Sequence, residues 1–131
     1  MQKKTIVVLL VMLIFLLAAC GSEDVQAAAT VEDYLAALSD KDEAVLISHI
    51  CLEFEFEALL EFDAFSNLQT QLNNVSCEQV SSQNGQAEVV CQGSIEAAYG
   101  SEIRNFDLSR RTYHLKKDDG SWLVCGYEDD L

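Results

Sequence analysis

Cys51, Cys77, Cys91 and Cys125 are the side chains of this 131-residue chain best suited to chemistry, and their spacing decides which chemistry. No two of them stand in the close C-x-x-C arrangement of a zinc or thiol-redox site. Neither His49 nor His114 lies in ligand spacing with a cysteine, so no metal site is expected. An even number of cysteines instead suits disulfides, provided the chain reaches an oxidising compartment. Nucleophilic catalysis would need an activated thiolate or hydroxyl beside a base, and no serine motif sits at a strand-to-helix turn. Histidine is the usual acid–base residue near neutral pH, but both contexts are poor. His114 alternates with Tyr113 and Leu115 and so faces the other side of a strand, while His49 closes a short helix where an imidazole meets free carbonyls. The acidic groups at Asp118 and Asp119 and at Glu128, Asp129 and Asp130 lack the spacing of an EF-hand and read as solvated. Nothing in the pattern calls for a cofactor.

The fifth cysteine, Cys20, belongs to a different argument. Lys3 and Lys4 precede an uncharged stretch from Thr5 to Ser22, apolar throughout from Ile6 to Leu17, which is the layout of a secretory signal. Its last residues, Leu17, Ala18, Ala19 and Cys20, followed by Gly21, resemble a lipobox, the processing sequence of bacterial lipoproteins. That resemblance implies a signal over 1–19, removed before a Cys20 acylated on its sulfur. The expected location is the extracytoplasmic side of a bacterial membrane. Two or more acyl chains, at about 0.8 kcal/mol per buried methylene, would hold the domain there. An uncleaved anchor is the alternative, at about 18 residues near the lower limit for spanning a bilayer. Because the lysines precede the apolar run, either reading exports the remainder.

Removing 19 of the 131 residues leaves 112, enough for one domain. Lys3 and Lys4 leave with the signal, taking the formal charge from −14 to −16. Nucleic acid is excluded as a partner, and anionic headgroups would repel this surface. The partners expected are the membrane, through the lipid on Cys20, and a small apolar ligand or an envelope protein.

Residues 20–29 read as the lipidated cysteine and a flexible tether spanning at most roughly 30 Å. A single folded domain is expected over 30–131. Thr30, with Asp33 three residues on, can cap a helix whose apolar face is Val31, Tyr34, Leu35 and Leu38. A second short helix is expected from Asp40, capped by that side chain, to about His49. A third should run from about Glu53 to Leu68, because the spacing of Phe56, Leu59, Leu60, Phe62, Phe65 and Leu68 outlasts the short alternation of Leu52, Phe54 and Phe56. From Val75 the chain reads as strands. Gln83-Asn84-Gly85 turns the first into a second over 86–98; Tyr99-Gly100-Ser101 leads to a third over 104–117, and Asp118-Asp119-Gly120 to a last over 121–127. If the first turn has three residues with Gly85 left-handed, Cys77 falls opposite Cys91, and Cys51 would then join Cys125. The other two pairings stay open at this level.

Helices followed by a four-stranded antiparallel meander describe an α+β fold, with the helices packed in a curved sheet. The segments Tyr34-Leu35-Ala36-Ala37-Leu38, Ser39-Asp40-Lys41-Asp42 and Lys117-Asp118-Asp119-Gly120-Ser121-Trp122-Leu123-Val124 resemble the nuclear transport factor 2-like superfamily, and most of all its lipid-anchored bacterial members. The likeness covers about 30 to 127 and implies a cystatin-like cone that often holds a pocket. Some members of the superfamily use that pocket for isomerase or dehydratase chemistry, others for binding alone. Ketosteroid isomerase pairs an Asp base with a Tyr and a protonated Asp. Tyr34, Tyr99, Tyr113 and Tyr127 supply phenols here, Tyr34 and Tyr113 being the pocket candidates, and Asp33, Asp63 and Asp107 supply carboxylates near a pocket mouth. With no catalytic constellation, the chain reads as a non-enzymatic ligand-binding or protein-docking domain. The alternatives are a pocket enzyme, or a structural domain whose cone is filled by Phe56, Leu60, Phe62 and Trp122.

Overall fold

The computed structural model describes residues 23–130; the signal, the lipobox and Cys20 lie outside the described residues. The first helix, α1, spans Glu23–Asp40 and so begins seven residues before Thr30. Residues 23–29, expected as tether, are helical because Ala27 and Ala28 extend the buried stripe of Val31, Tyr34, Leu35 and Leu38 by one turn, and alanine is the best helix former. Thr30 is therefore internal, its hydroxyl donating to the Gln26 carbonyl (3.0 Å) instead of capping. The helix ends at left-handed Lys41, where the Asp42 amide returns to the Ala37 carbonyl (3.0 Å). With α1 running through Asp40, the cap of the next helix moves to Asp42, whose carboxylate accepts from the Val45 amide. This helix, α2, spans Glu43–Ser48. His49 closes it, with Nδ1 2.8 Å from the Val45 carbonyl.

A 3-10 turn over Leu52–Phe54 leads into α3, Glu55–Ser66. The helical reading of this segment holds, but the buried face is Phe54, Ala58, Phe62 and Phe65. Phe56 and Leu60, expected to fill the cone, point to solvent at 74% and 55% exposure. The helix is apolar on both sides, and the chain on either side of it orients only one of them inward. Among the described residues, no helix is long and apolar enough to cross a membrane.

Five strands follow, not four: β1 Gln69–Gln83, β2 Gln86–Tyr99, β3 Glu102–Asp107, β4 Arg111–Asp118 and β5 Ser121–Asp129. All pairings are antiparallel in the order β1-β2-β4-β5, with β3 also on β2. The single strand expected over 104–117 is broken by a 3-10 turn at Leu108–Arg110. The Asp107 carboxylate caps that turn by accepting from the Ser109 amide (2.9 Å), and Leu108 is buried. Thus β3 and β4 pair in succession with the two halves of one long β2, which bends between them. Opposite the bend, β1 is irregular between Asn73 and Ser76, and bulges of this kind curve a sheet.

The β1–β2 turn has two residues, Asn84 and Gly85, both left-handed, so Gln83 pairs with Gln86. That shifts the expected register by one, and a bulge between Gln79 and Ser81 shifts it back, leaving Cys77 opposite Cys91. The two are disulfide-bonded, and Cys51 is bonded to Cys125. Around the second bridge the Cys51 amide donates to the Val124 carbonyl, and the Val124 amide to that of His49, both at 2.8 Å. The helical layer is thereby sewn to β5. The concave face of the sheet, with Val89, Ile95, Tyr113, Leu115, Trp122 and Val124, packs on α1 and α3 in one core.

Candidate functional site

Alternation along β4 puts Arg111, Tyr113 and Leu115 on the concave face, while helical spacing puts Glu61 at the edge of the buried side of α3, between Ala58 and Phe65. They meet on the concave face of the sheet, under α1 and α3. The Tyr34 hydroxyl, from α1, donates to Glu61 Oε2 (2.6 Å), and Arg111 Nη1 donates to Glu61 Oε1 (2.7 Å). Arg111 Nε donates to Asp129 Oδ1 (2.9 Å), at the end of β5. The Arg111 guanidinium lies 3.6 Å from the centroid of the Tyr127 ring, a close cation–π contact. The ion pair is largely buried, its side chains being 18% and 11% exposed.

Tyr113 completes the group, its ring edge-on to Tyr34 (6.3 Å) and to Tyr127 (5.9 Å). Its hydroxyl is buried without a hydrogen bond of good geometry, close to the Arg111 charge. Burial, then the charge of Glu61 and the hydrogen bond to it, push the Tyr34 phenol far above its ordinary value. Burial raises Tyr113 as well, against the pull of Arg111. Burial works to lower Arg111, but Glu61 and the hydrogen bonds outweigh it and hold the guanidinium charged. Both oxygens of Glu61 are thus occupied, one by a phenol and one by a guanidinium. A carboxylate so held is an acceptor that anchors α3 to α1 and β4.

Beside this cluster opens a cleft of about 400 Å³. Phe65, Ile95, Phe106 and Leu108 give it an apolar wall, and Glu61, Arg111 and Asp129 meet at its edge with Asp107, Arg110 and Asp130. A second depression of about 380 Å³ lies against β2 and β4 among Ser81, Glu88, His114 and Lys116. Its lining is mostly polar. The first cleft, combining apolar surface with converging charges, is the better candidate for a binding site.

The structure brings Tyr34 and Tyr113 together in the cone, with Tyr127 beside them. Tyr99 stands apart at the β2–β3 turn, under the Arg104 guanidinium (5.3 Å). None of the three candidate aspartates is the carboxylate of the cone. Asp33 is exposed, 3.5 Å from His49; Asp63 is exposed; Asp107 reaches the cleft but is engaged with Ser109. His114 lies near Glu88 and Glu128, away from Tyr113, as the alternation requires. Among the described residues, Cys51, Glu53 and Cys125 bring ligand-type atoms within 4.8 Å of one another, but both sulfurs are committed to the disulfide. Asp129 was read as part of a solvated acidic end but is bonded to Arg111, and Glu61 and Arg111 were not among the sequence candidates. Two signals mark them: a basic residue in phase with Tyr113 and Leu115, and a carboxylate one turn from Ala58 and Phe65.

No family model and no curated protein matches the chain. Among solved structures it is similar to a designed nuclear transport factor 2-like protein, at 14% identity over 74% of this chain and 91% of that one, with a TM-score of 0.45. Helices followed by a curved, unclosed antiparallel sheet make the fold an α+β cone.

Proposed function

We propose that the chain is a lipid-anchored extracytoplasmic domain, tethered through Cys20, that binds a small amphipathic ligand at the mouth of its cone. The cleft of about 400 Å³ carries the reading, because its apolar wall and charged edge can take the two ends of such a molecule. The interior is filled by Tyr34, Phe54, Tyr113 and their neighbours, so the ligand sits at the mouth and not deep in the cone. The export reading is supported by the Lys3-Lys4 apolar segment ending in Leu17-Ala18-Ala19-Cys20, and by two disulfides, which persist in oxidising compartments. Binding is favoured over isomerase or dehydratase chemistry because Glu61, the carboxylate of the cone, already has both oxygens engaged.

Native mass spectrometry of the full chain, purified in the form that an exporting bacterial host makes of it, tests both parts. The expected result is a small molecule that leaves on denaturation and is missing from a Phe106→Ser variant, with a digest yielding an acylated peptide that starts at Cys20. A bare protein would sink the ligand reading. An unmodified Cys20 within an uncleaved chain would sink the lipid anchor.

A further inference from the structure

We propose that the outward side of α3 docks a basic amphipathic helix of a partner protein. Leu52, Phe56, Leu60 and Ala64 recur at every fourth position and all are exposed, Leu52 at 84% and Phe56 at 74%. Side chains four apart on a helix line one face, so Phe56, Leu60 and Ala64 form a stripe, which Leu52 extends onto the preceding 3-10 turn. The stripe is roughly 18 Å long. It lies opposite Ala58, Phe62 and Phe65, the residues that seat α3 on the core. A helix apolar on both sides normally has both covered, and this one has only one.

Charge identifies the occupant. Residues 52–66 contain no basic residue, and of their five acidic residues Glu61 is turned inward to Arg111 and Tyr34 and Glu53 is paired with Lys116, which leaves Glu55 and, exposed beside the stripe, Glu57 and Asp63. A partner that buries Phe56 and Leu60 must bring these carboxylates to its own flanks, so it gains by carrying Lys or Arg there. An apolar seam of this period, flanked by opposite charge, fits a helix with anchors at every third and fourth residue. A second copy would set acidic flank against acidic flank on a chain of net charge −14, and anionic lipid would repel the same surface. This surface is separate from the cleft at the mouth, and the proposal does not depend on ligand binding there.

The test uses the full chain from an exporting host and a synthetic helical peptide of about five turns, with leucine along one face and lysine elsewhere. One control peptide has the same residues scrambled; another has glutamate in place of lysine. Fluorescence anisotropy should show saturable binding of the ordered lysine peptide. Affinity should fall by roughly tenfold or more in Phe56→Ser/Leu60→Ser, and clearly in Glu57→Gln/Asp63→Asn. All four positions are exposed, so both variants should keep the melting curve of the parent. Equal binding of the ordered peptide to parent and to Phe56→Ser/Leu60→Ser would overturn the proposal. So would equal binding of the scrambled or the glutamate peptide to the parent. Sedimentation of the parent as a dimer that the Phe56→Ser/Leu60→Ser change dissolves would assign the stripe to a second copy instead. Flotation of the parent, but not of that variant, with phosphatidylcholine vesicles after removal of any acyl group would assign it to the membrane.

Discussion

Arg111, on β4, ties three elements together. It joins Glu61 on α3 to Asp129 on β5, and it lies over the Tyr127 ring. Removing one partner of a largely buried pair leaves the other charge uncompensated in a poorly solvated place. Arg111→Met should therefore cost about 3 kcal/mol in urea unfolding. Arg111→Met/Glu61→Leu, which removes both charges, should recover most of that loss. A single variant as stable as the parent would show that Glu61 finds other partners. The tyrosines give a second prediction. The Tyr34 and Tyr113 phenols are both raised from 10.0 by burial, so each contributes stability that is intact below about pH 10 and is lost as pH rises beyond it. In an alkaline titration these two should keep their protons until the fold is lost, and their phenolate absorbance should appear together with the loss of circular dichroism. Tyr34→Phe should remove one tyrosine from that late phase. Ionisation of all four before unfolding would contradict the placement of both rings.

At the scale of elements, the curvature of the sheet depends on the meeting of β1 and β2 near Gly93. Its φ is +97°, and a Cβ there would stand 2.5 Å from the Asn73 carbonyl oxygen and 2.6 Å from that of Asn74. Gly93→Ala should lower stability by about 2 kcal/mol or more, since an unfavourable backbone conformation adds to a collision with main chain that cannot move aside. Gly100 supplies the comparison: its φ is +63° with nothing within 4 Å, so Gly100→Ala should cost only about 1 kcal/mol. Thermal melts of the two variants separate the effects, and equal losses would mean that the bulge opposite Gly93 relaxes freely. The register of this hairpin shows how a pairing can be anticipated for an incomplete reason. A three-residue turn placed Cys77 opposite Cys91 on paper; a two-residue turn with a bulge between Gln79 and Ser81 places it there in the protein. The break between β3 and β4 was not legible, because Asn105 to Ser109 alternates like a strand and the stop comes from Leu108 turning inward.

At the scale of the whole molecule, the two disulfides differ in what they close. Cys77–Cys91 spans 14 residues within one hairpin, and Cys51–Cys125 spans 74, tying the helical layer to the last strand. By loop entropy alone the shorter bridge is worth about 3 kcal/mol and the longer about 4.5 kcal/mol. Cys51→Ser/Cys125→Ser should therefore destabilise the domain more than Cys77→Ser/Cys91→Ser in chemical denaturation, and the reverse order would show that strain or residual structure outweighs chain entropy. The three helices, the run of antiparallel strands that follows them, the α+β class and the stock of cysteines were determined by the sequence alone, because periodicity, turn residues and pairing-competent thiols act locally; the division of one expected strand into β3 and β4 was not. The start of α1 at Glu23, the side of α3 that faces the core, and the assembly of Glu61, Arg111 and Asp129 around the tyrosines were decided by tertiary structure. An apolar helix with two usable faces, or a lone Glu and a lone Arg 50 residues apart, carries no local preference, and only packing against the rest of the chain makes the choice.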